Sequence, residues 1–219
     1  MEKTPEVTVQ KWHQSERFWI VFIAIFYAVG MVGISNENWK TIIVPLSSAH
    51  LFLTFWVLYF SRRGKKDQFL LYAFLLFLIG VFVEIIGTKT GWLFGNYAYG
   101  KTLGWKILGV PAIIGVNWAT MVICSSSWVS NWNTTIWWKA IAAALIMTGL
   151  DFLIEPVAMQ LDFWQWENDT VPFYNYVCWF VISIPMHLFY IKWNIVENNS
   201  VPKSVYVLML VFFVVLNWK

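Results

Sequence analysis

Three acids sit in stretches of sequence where an acid is costly. Asp151 and Glu155 are four residues apart in the run Asp151-Phe152-Leu153-Ile154-Glu155-Pro156, and Glu84 stands in a second apolar run that ends Glu84-Ile85-Ile86-Gly87. Positions i and i+4 of a helix share a face about one turn apart, so Asp151 and Glu155 can point into one cavity. An ionised carboxylate inside a bilayer costs at least about 2.5 kcal/mol, and such residues usually face a bundle interior and serve function. Carboxyls held there are suited to giving and taking protons, which is general acid and base catalysis on a lipid-soluble substrate. The plainer interpretation puts them at the membrane surface, hydrated or paired with Lys89, merely finishing their helices. Against it stands a coincidence: three acids, two aromatic-rich loops and the mid-helix amide Asn117 fall at one end of the chain's apolar segments.

The two loops are unusual in composition. The first runs Gly91-Trp92-Leu93-Phe94-Gly95-Asn96-Tyr97-Ala98-Tyr99-Gly100, and the second carries Phe163-Trp164-Gln165-Trp166 before Pro172-Phe173-Tyr174-Asn175-Tyr176. Most of the sixteen Trp are expected to be interfacial anchors. Beside buried acids, a group of them can also wall a slot for a flat apolar chain and stabilise a cation through their π faces. Tyr97, Tyr99, Trp118, Trp164, Trp166, Tyr174, Asn117 and Asn175 are therefore the expected lining of the site. Gly87, Gly91 and Gly95 recur at four-residue spacing. Tight turns in an interfacial loop explain them better than a helix-helix contact.

The elements that must position these residues follow from composition. Of 219 residues, 59% are hydrophobic and 12% charged, so the solvent is lipid rather than water. Apolar runs long enough to cross about 30 Å of hydrocarbon occur near 18–34, 42–60, 69–87, 107–129, 136–156, 172–191 and 202–217. An all-α polytopic membrane bundle of about seven transmembrane helices is expected, as a single domain over 1–219. The polar stretch before Phe18 has no small-residue cleavage site after the first apolar run, which reads as a helix and not a removed signal. Lys and Arg concentrate in alternate loops, most densely from Arg62 to Lys66, and put the N-terminus, with Lys3 and Lys11, in the cytoplasm and Lys219 outside. A prokaryotic inner membrane, with its lipids as partners, fits this pattern. The net charge of +3 reports orientation, and no nucleic-acid partner is implied.

Absences narrow the chemistry. His13, His50 and His187 are isolated, so no histidine cluster for a di-iron oxygenase can be assembled and no metal is expected. Cys124 and Cys178 lie in apolar runs and suggest neither a disulfide nor a metal site. Nucleotide-binding glycine motifs are missing, so a dinucleotide or nucleotide cofactor held by the usual loops is not supported. A retinal protein would need a lysine inside its last helix, and Lys203 and Lys219 stand only at its ends.

The pieces Glu84-x-x-Gly87-x-x-x-Gly91-x-x-x-Gly95-x-Tyr97-x-Tyr99, Gly109-Val110-Pro111 with Asn117-Trp118, and Asp151-x-x-x-Glu155-Pro156-x-Ala158 with Trp164-x-Trp166 occur in this order. Together they resemble the membrane carotenoid biosynthesis proteins that include carotenoid 1′,2′-hydratases and bisanhydrobacterioruberin hydratase. The resemblance runs from about residue 80 to 180, and the first two helices and the last carry no motif of that family. It implies addition of water across the terminal C1=C2 double bond of an acyclic carotenoid, with no cofactor. A protonated carboxyl would deliver a proton to C2, a tertiary cation would develop at C1, and water would add with general-base help. Within that implied reaction Asp151, a turn deeper than Glu155, suits the proton donor. Glu155 and Glu84 would orient or deprotonate water, with Asn117 as their neutral hydrogen-bond partner, although the three acids can exchange roles on sequence alone. Two other functions use the same acids: a cyclase acting on the same end group, and a small proton-coupled transporter. The second needs polar residues reaching both faces, and here they gather at one end.

Overall fold

The structure, a computed structural model, describes residues 15–218, so Lys3, Lys11, His13 and Lys219 lie outside the described residues. Among these, six helical rods are long and apolar enough to cross a membrane. They are α1 (Glu16–Ile34), a rod made of α2 (Glu37–Ile43), a 3-10 turn (Val44–Leu46) and α3 (Ser47–Phe60), then α4 (Lys66–Thr90), α5 (Ala112–Val129), α6 (Ile136–Gln160) and α7 (Phe173–Lys192). A seventh, α8 (Val201–Asn217), has 17 residues, the short end of what spans a bilayer. Val21, Ile25, Val29 and Val32 on α1, and Phe74, Leu78 and Phe82 on α4, face outward at helical spacing. In water such stripes would be sticky patches; against lipid tails they are in their own solvent. The chain is thus an all-α polytopic membrane protein.

α5 is the axis of the bundle and is buried on nearly every side. It packs closely on α4 because small residues face large ones in both directions. A Cβ on Gly80 would come within 2.7 Å of Trp118, and one on Gly115 within 2.5 Å of Phe77. Close approach of this kind drives helix association where lipid removes the hydrophobic force. It also brings Trp118 alongside Glu84, one turn beyond Gly80.

Several boundaries differ from the sequence expectation. Residues 107–111 are not helical: β2 (Lys106–Ile107) and β3 (Val110–Pro111) form a short antiparallel pair that leads into α5. Pro156 does not end its helix but lies inside α6, which continues to Gln160, while Pro185 lies inside α7 as the run 172–191 implies. Proline lacks only its own N–H donor, which a buried membrane helix tolerates when neighbours compensate. Pro45 is the middle residue of the 3-10 turn between α2 and α3. Gly91 caps α4 in the left-handed conformation at φ 67°, with its N–H on the Gly87 carbonyl, so the turn reading holds there.

The two aromatic loops join. β1 (Tyr97–Tyr99) pairs antiparallel with β4 (Trp164–Trp166), matching Tyr97 with Trp166 and Tyr99 with Trp164. Side chains alternate along a strand, so these four rings turn one way while Ala98 and Gln165 are exposed. The ribbon lies across the ends of α4 and α6, where Glu84 and Glu155 stand.

Candidate active site

Glu84 from α4 and Asp151 and Glu155 from α6 line a single cavity, together with Tyr97, Tyr99, Asn117, Trp164, Trp166 and Asn175. The acids are 3%, 1% and 2% exposed, so the surface interpretation fails, and Lys89 is turned outward. Among the described residues no cation pairs with any of them; the ion pairs there are Lys40–Glu37, Arg62–Glu197 and Arg63–Glu16. Neutral donors take that place.

Their distribution is uneven. Glu84 accepts from the Tyr97 hydroxyl, from Tyr99 Oη at 2.7 Å and from Trp118 Nε1 at 2.9 Å. Glu155 accepts from Trp164 Nε1 at 2.8 Å and Trp166 Nε1 at 2.7 Å, both on Oε2, and from Asn175 Nδ2 at 3.1 Å on Oε1. Asp151 receives one long bond, from the same Asn175 amide at 3.4 Å. Two acids are therefore supplied as anions prefer, each with three donors, and the third is almost unsupplied. Burial first, and then the Glu84 carboxylate, hold the Tyr97 and Tyr99 phenols above their usual range, so both remain protonated donors.

The strand period places these donors. Tyr97 and Tyr99 both reach Glu84, and Trp164 and Trp166 both reach Glu155, because each pair is two residues apart on one face of the ribbon. Gly87 makes room for the first pair: a Cβ there would meet Phe94 Cδ2 at 2.7 Å and Tyr97 Oη at 2.9 Å. Gly87→Ala is accordingly expected to displace Tyr97 from Glu84 and to destabilise the protein by about 1–3 kcal/mol, as overpacking does. Thermal unfolding in detergent reads this, and an unchanged midpoint would mean that the loop yields freely.

The cavity is small and aromatic. About 20 Å³ is open to the centre of a water-sized sphere, room for about one water. Phe94, Ile114, Ile154 and Trp179 complete its wall, and Trp179 stacks on Trp118 with centroids 3.9 Å apart and planes 5° from parallel. Such faces stabilise positive charge. Among the described residues no three His, Cys, Asp or Glu side chains are grouped to hold a metal ion.

Not every expected residue belongs here. Tyr174 is 51% exposed and donates to the Trp92 carbonyl at 3.0 Å, outside the cavity. It is one residue from Asn175, and one residue turns a helix by about 100°. Asn117, expected as a neutral hydrogen-bond partner of the acids, lines the cavity, but its amide faces Met121 Sδ at 3.5 Å and bonds to none of them; Asn175 donates to both Asp151 and Glu155 instead. Trp118 does not line the cavity but lies behind its wall, donating to Glu84. Trp179 escaped the sequence reading as a site residue, although its place four residues beyond Asn175 puts it on the same face of α7.

A protein-family model described as carotenoid biosynthesis protein matches residues 46–219. A bisanhydrobacterioruberin hydratase from Haloarcula japonica is 26% identical over 133 residues, which cover 55% of this chain and 43% of that protein. The match thus spans less than half of that relative's length. No solved structure matches.

Proposed function

Because the chain belongs to the carotenoid biosynthesis protein family, a membership carried by the match over residues 46–219, we propose that it hydrates an acyclic carotenoid end group by acid catalysis. The observation behind this is the uneven supply of donors to three acids in one aromatic cavity. Asp151, with a single long hydrogen bond, carries the proton and gives it to C2 of the terminal double bond. The tertiary cation left at C1 faces the π surfaces of Trp164, Trp166 and Trp179 and the negative charge of Glu155. One water occupies the polar cavity and adds to C1. Its proton passes to Glu155 and back to Asp151, which Asn175 holds next to Glu155. The sum is alkene plus water to tertiary alcohol, with no electrons moved. The name of the Haloarcula relative, a hydratase, supports this over other chemistry on a polyene. With the N-terminus in the cytoplasm, the cavity lies toward the far side of the membrane, at the depth where water and the apolar phase meet.

The test is expression in cells that accumulate lycopene, with pigments analysed by mass. A gain of one water per acyclic end is expected, with the oxygen drawn from labelled water, and equally under anaerobic conditions. A product of unchanged mass would indicate cyclisation, and a strict need for oxygen would end the hydratase reading.

A further inference from the structure

A second cavity adjoins the acidic one. It lies between α1, α3 and α8 and shares the side chains of Ile114, Asn117, Ile154 and Trp164 with the first as a common partition. It is larger, with about 70 Å³ open to the centre of a water-sized sphere, and mostly apolar, walled by Leu103, Phe163, Met209 and Phe212 among others. The acidic cavity has room for about one water, too little for the five carbons of an isoprenoid end as well.

Of the polar side chains in its wall, Ser47 and Asn117 have hydrogen-bond partners and His50 keeps an unpaired atom. His50 lines the second cavity, its ring held edge-on against Tyr27 with centroids 4.4 Å apart. Its Nε2 is buried and has no hydrogen-bond partner among the described residues. A buried polar atom left unpaired is costly, and a ligand that pairs with it recovers that cost on binding. The neutral imidazole nitrogen is a donor in one tautomer and an acceptor in the other, and a hydroxyl group satisfies both.

We propose that this second cavity seats the apolar chain next to the reacting end and that His50 Nε2 binds a hydroxyl carried on that chain. The substrate class is then an isoprenoid chain already oxygenated near its end. His50 is a specificity residue, and Asn117 and Trp164 are the partition that the reacting end must pass to meet Asp151 and the water. The identity of the chain rests on the hydratase reading, but its binding does not require turnover.

The test uses the full chain in detergent carrying Asp151→Asn, so that no ligand is consumed, and two short probes of one carbon skeleton. One is sulcatol, a branched alkenol ending in the same trisubstituted double bond; the other is the corresponding hydrocarbon. Binding is followed by tryptophan fluorescence, referenced to empty micelles. Sulcatol is expected to bind about fivefold more tightly than the hydrocarbon, the size of one net hydrogen bond. Adding His50→Phe should bring the ratio to about one, by the same loss. Filling the cavity with Met209→Trp, or with Leu103→Trp should the first not fold, should weaken both probes at least about tenfold, as overpacking a binding cavity does. Equal binding of the two probes at the outset, a ratio untouched by His50→Phe, or full affinity in a folded filling variant would each overturn the proposal. Normal probe discrimination by a wild-type chain that hydrates no pigment would instead remove the hydratase reading and leave the cavity assignment standing.

Discussion

Asp151→Asn is expected to abolish carotenoid turnover, by at least about 10³-fold, while the protein stays folded in detergent. The amide has the shape of the carboxyl and can still accept the Asn175 bond at 3.4 Å, so the change in stability should remain within about 1 kcal/mol. What it cannot do is release a proton to a carbon. The comparison variant is Glu155→Gln, which removes the base and charge beside Asp151 but leaves an oxygen for Trp164 and Trp166. Turnover should fall there too, by about 10²-fold, because water addition loses assistance while protonation is retained. Pigment conversion per folded protein is the measurement. Full activity in Asp151→Asn would strike it from the mechanism, and a dead Glu155→Gln beside it would transfer the proton donor to Glu155.

The largest effect on stability is expected at Glu84. Its carboxylate is the shared acceptor for two phenols and an indole, all three turned inward. Glu84→Leu removes the acceptor and leaves those donors without partners, at about 1–3 kcal/mol for each that stays buried. Because Tyr97 and Tyr99 belong to β1, some of this will be relieved by the ribbon lifting, and a net loss of roughly 3–5 kcal/mol is expected. Glu84→Gln retains one carbonyl oxygen and should lose only about 1–2 kcal/mol. Thermal unfolding of both variants in the same detergent separates the cases. If Leu and Gln were equally harmless, the three donors would have other acceptors and Glu84 would not be what holds the ribbon down.

These two expectations differ in how far the sequence foretold them. That Asp151 and Glu155 share a face is a local property of helix geometry, readable from their spacing in any apolar helix. The same is true of Tyr97 with Tyr99 and Trp164 with Trp166, whose two-residue spacing turns each pair to one side of a strand. Even the misplaced Tyr174 follows from a local rule, since its neighbour Asn175 is the residue that faces α6.

What composition and periodicity determined, then, was the solvent of the chain, the approximate spans and which side chains travel together. Only the tertiary structure decided which of those faces meet. Local period says nothing of the rotation of one helix against the next, and Glu84 reaches the α6 acids only because Gly80 and Gly115 let α4 close on α5. Nor could it select the partner of β1, because β4 lies far along the chain and the pairing is settled by which loops the helices deliver to one end. The choice of Asn175 over Asn117 as the bridge between Asp151 and Glu155 depends on the same rotations. So does the apolar cavity beside them, bounded by helices α1, α3 and α8, which carried no recognisable motif: a cavity is the space that packed faces leave, and no single segment encodes it.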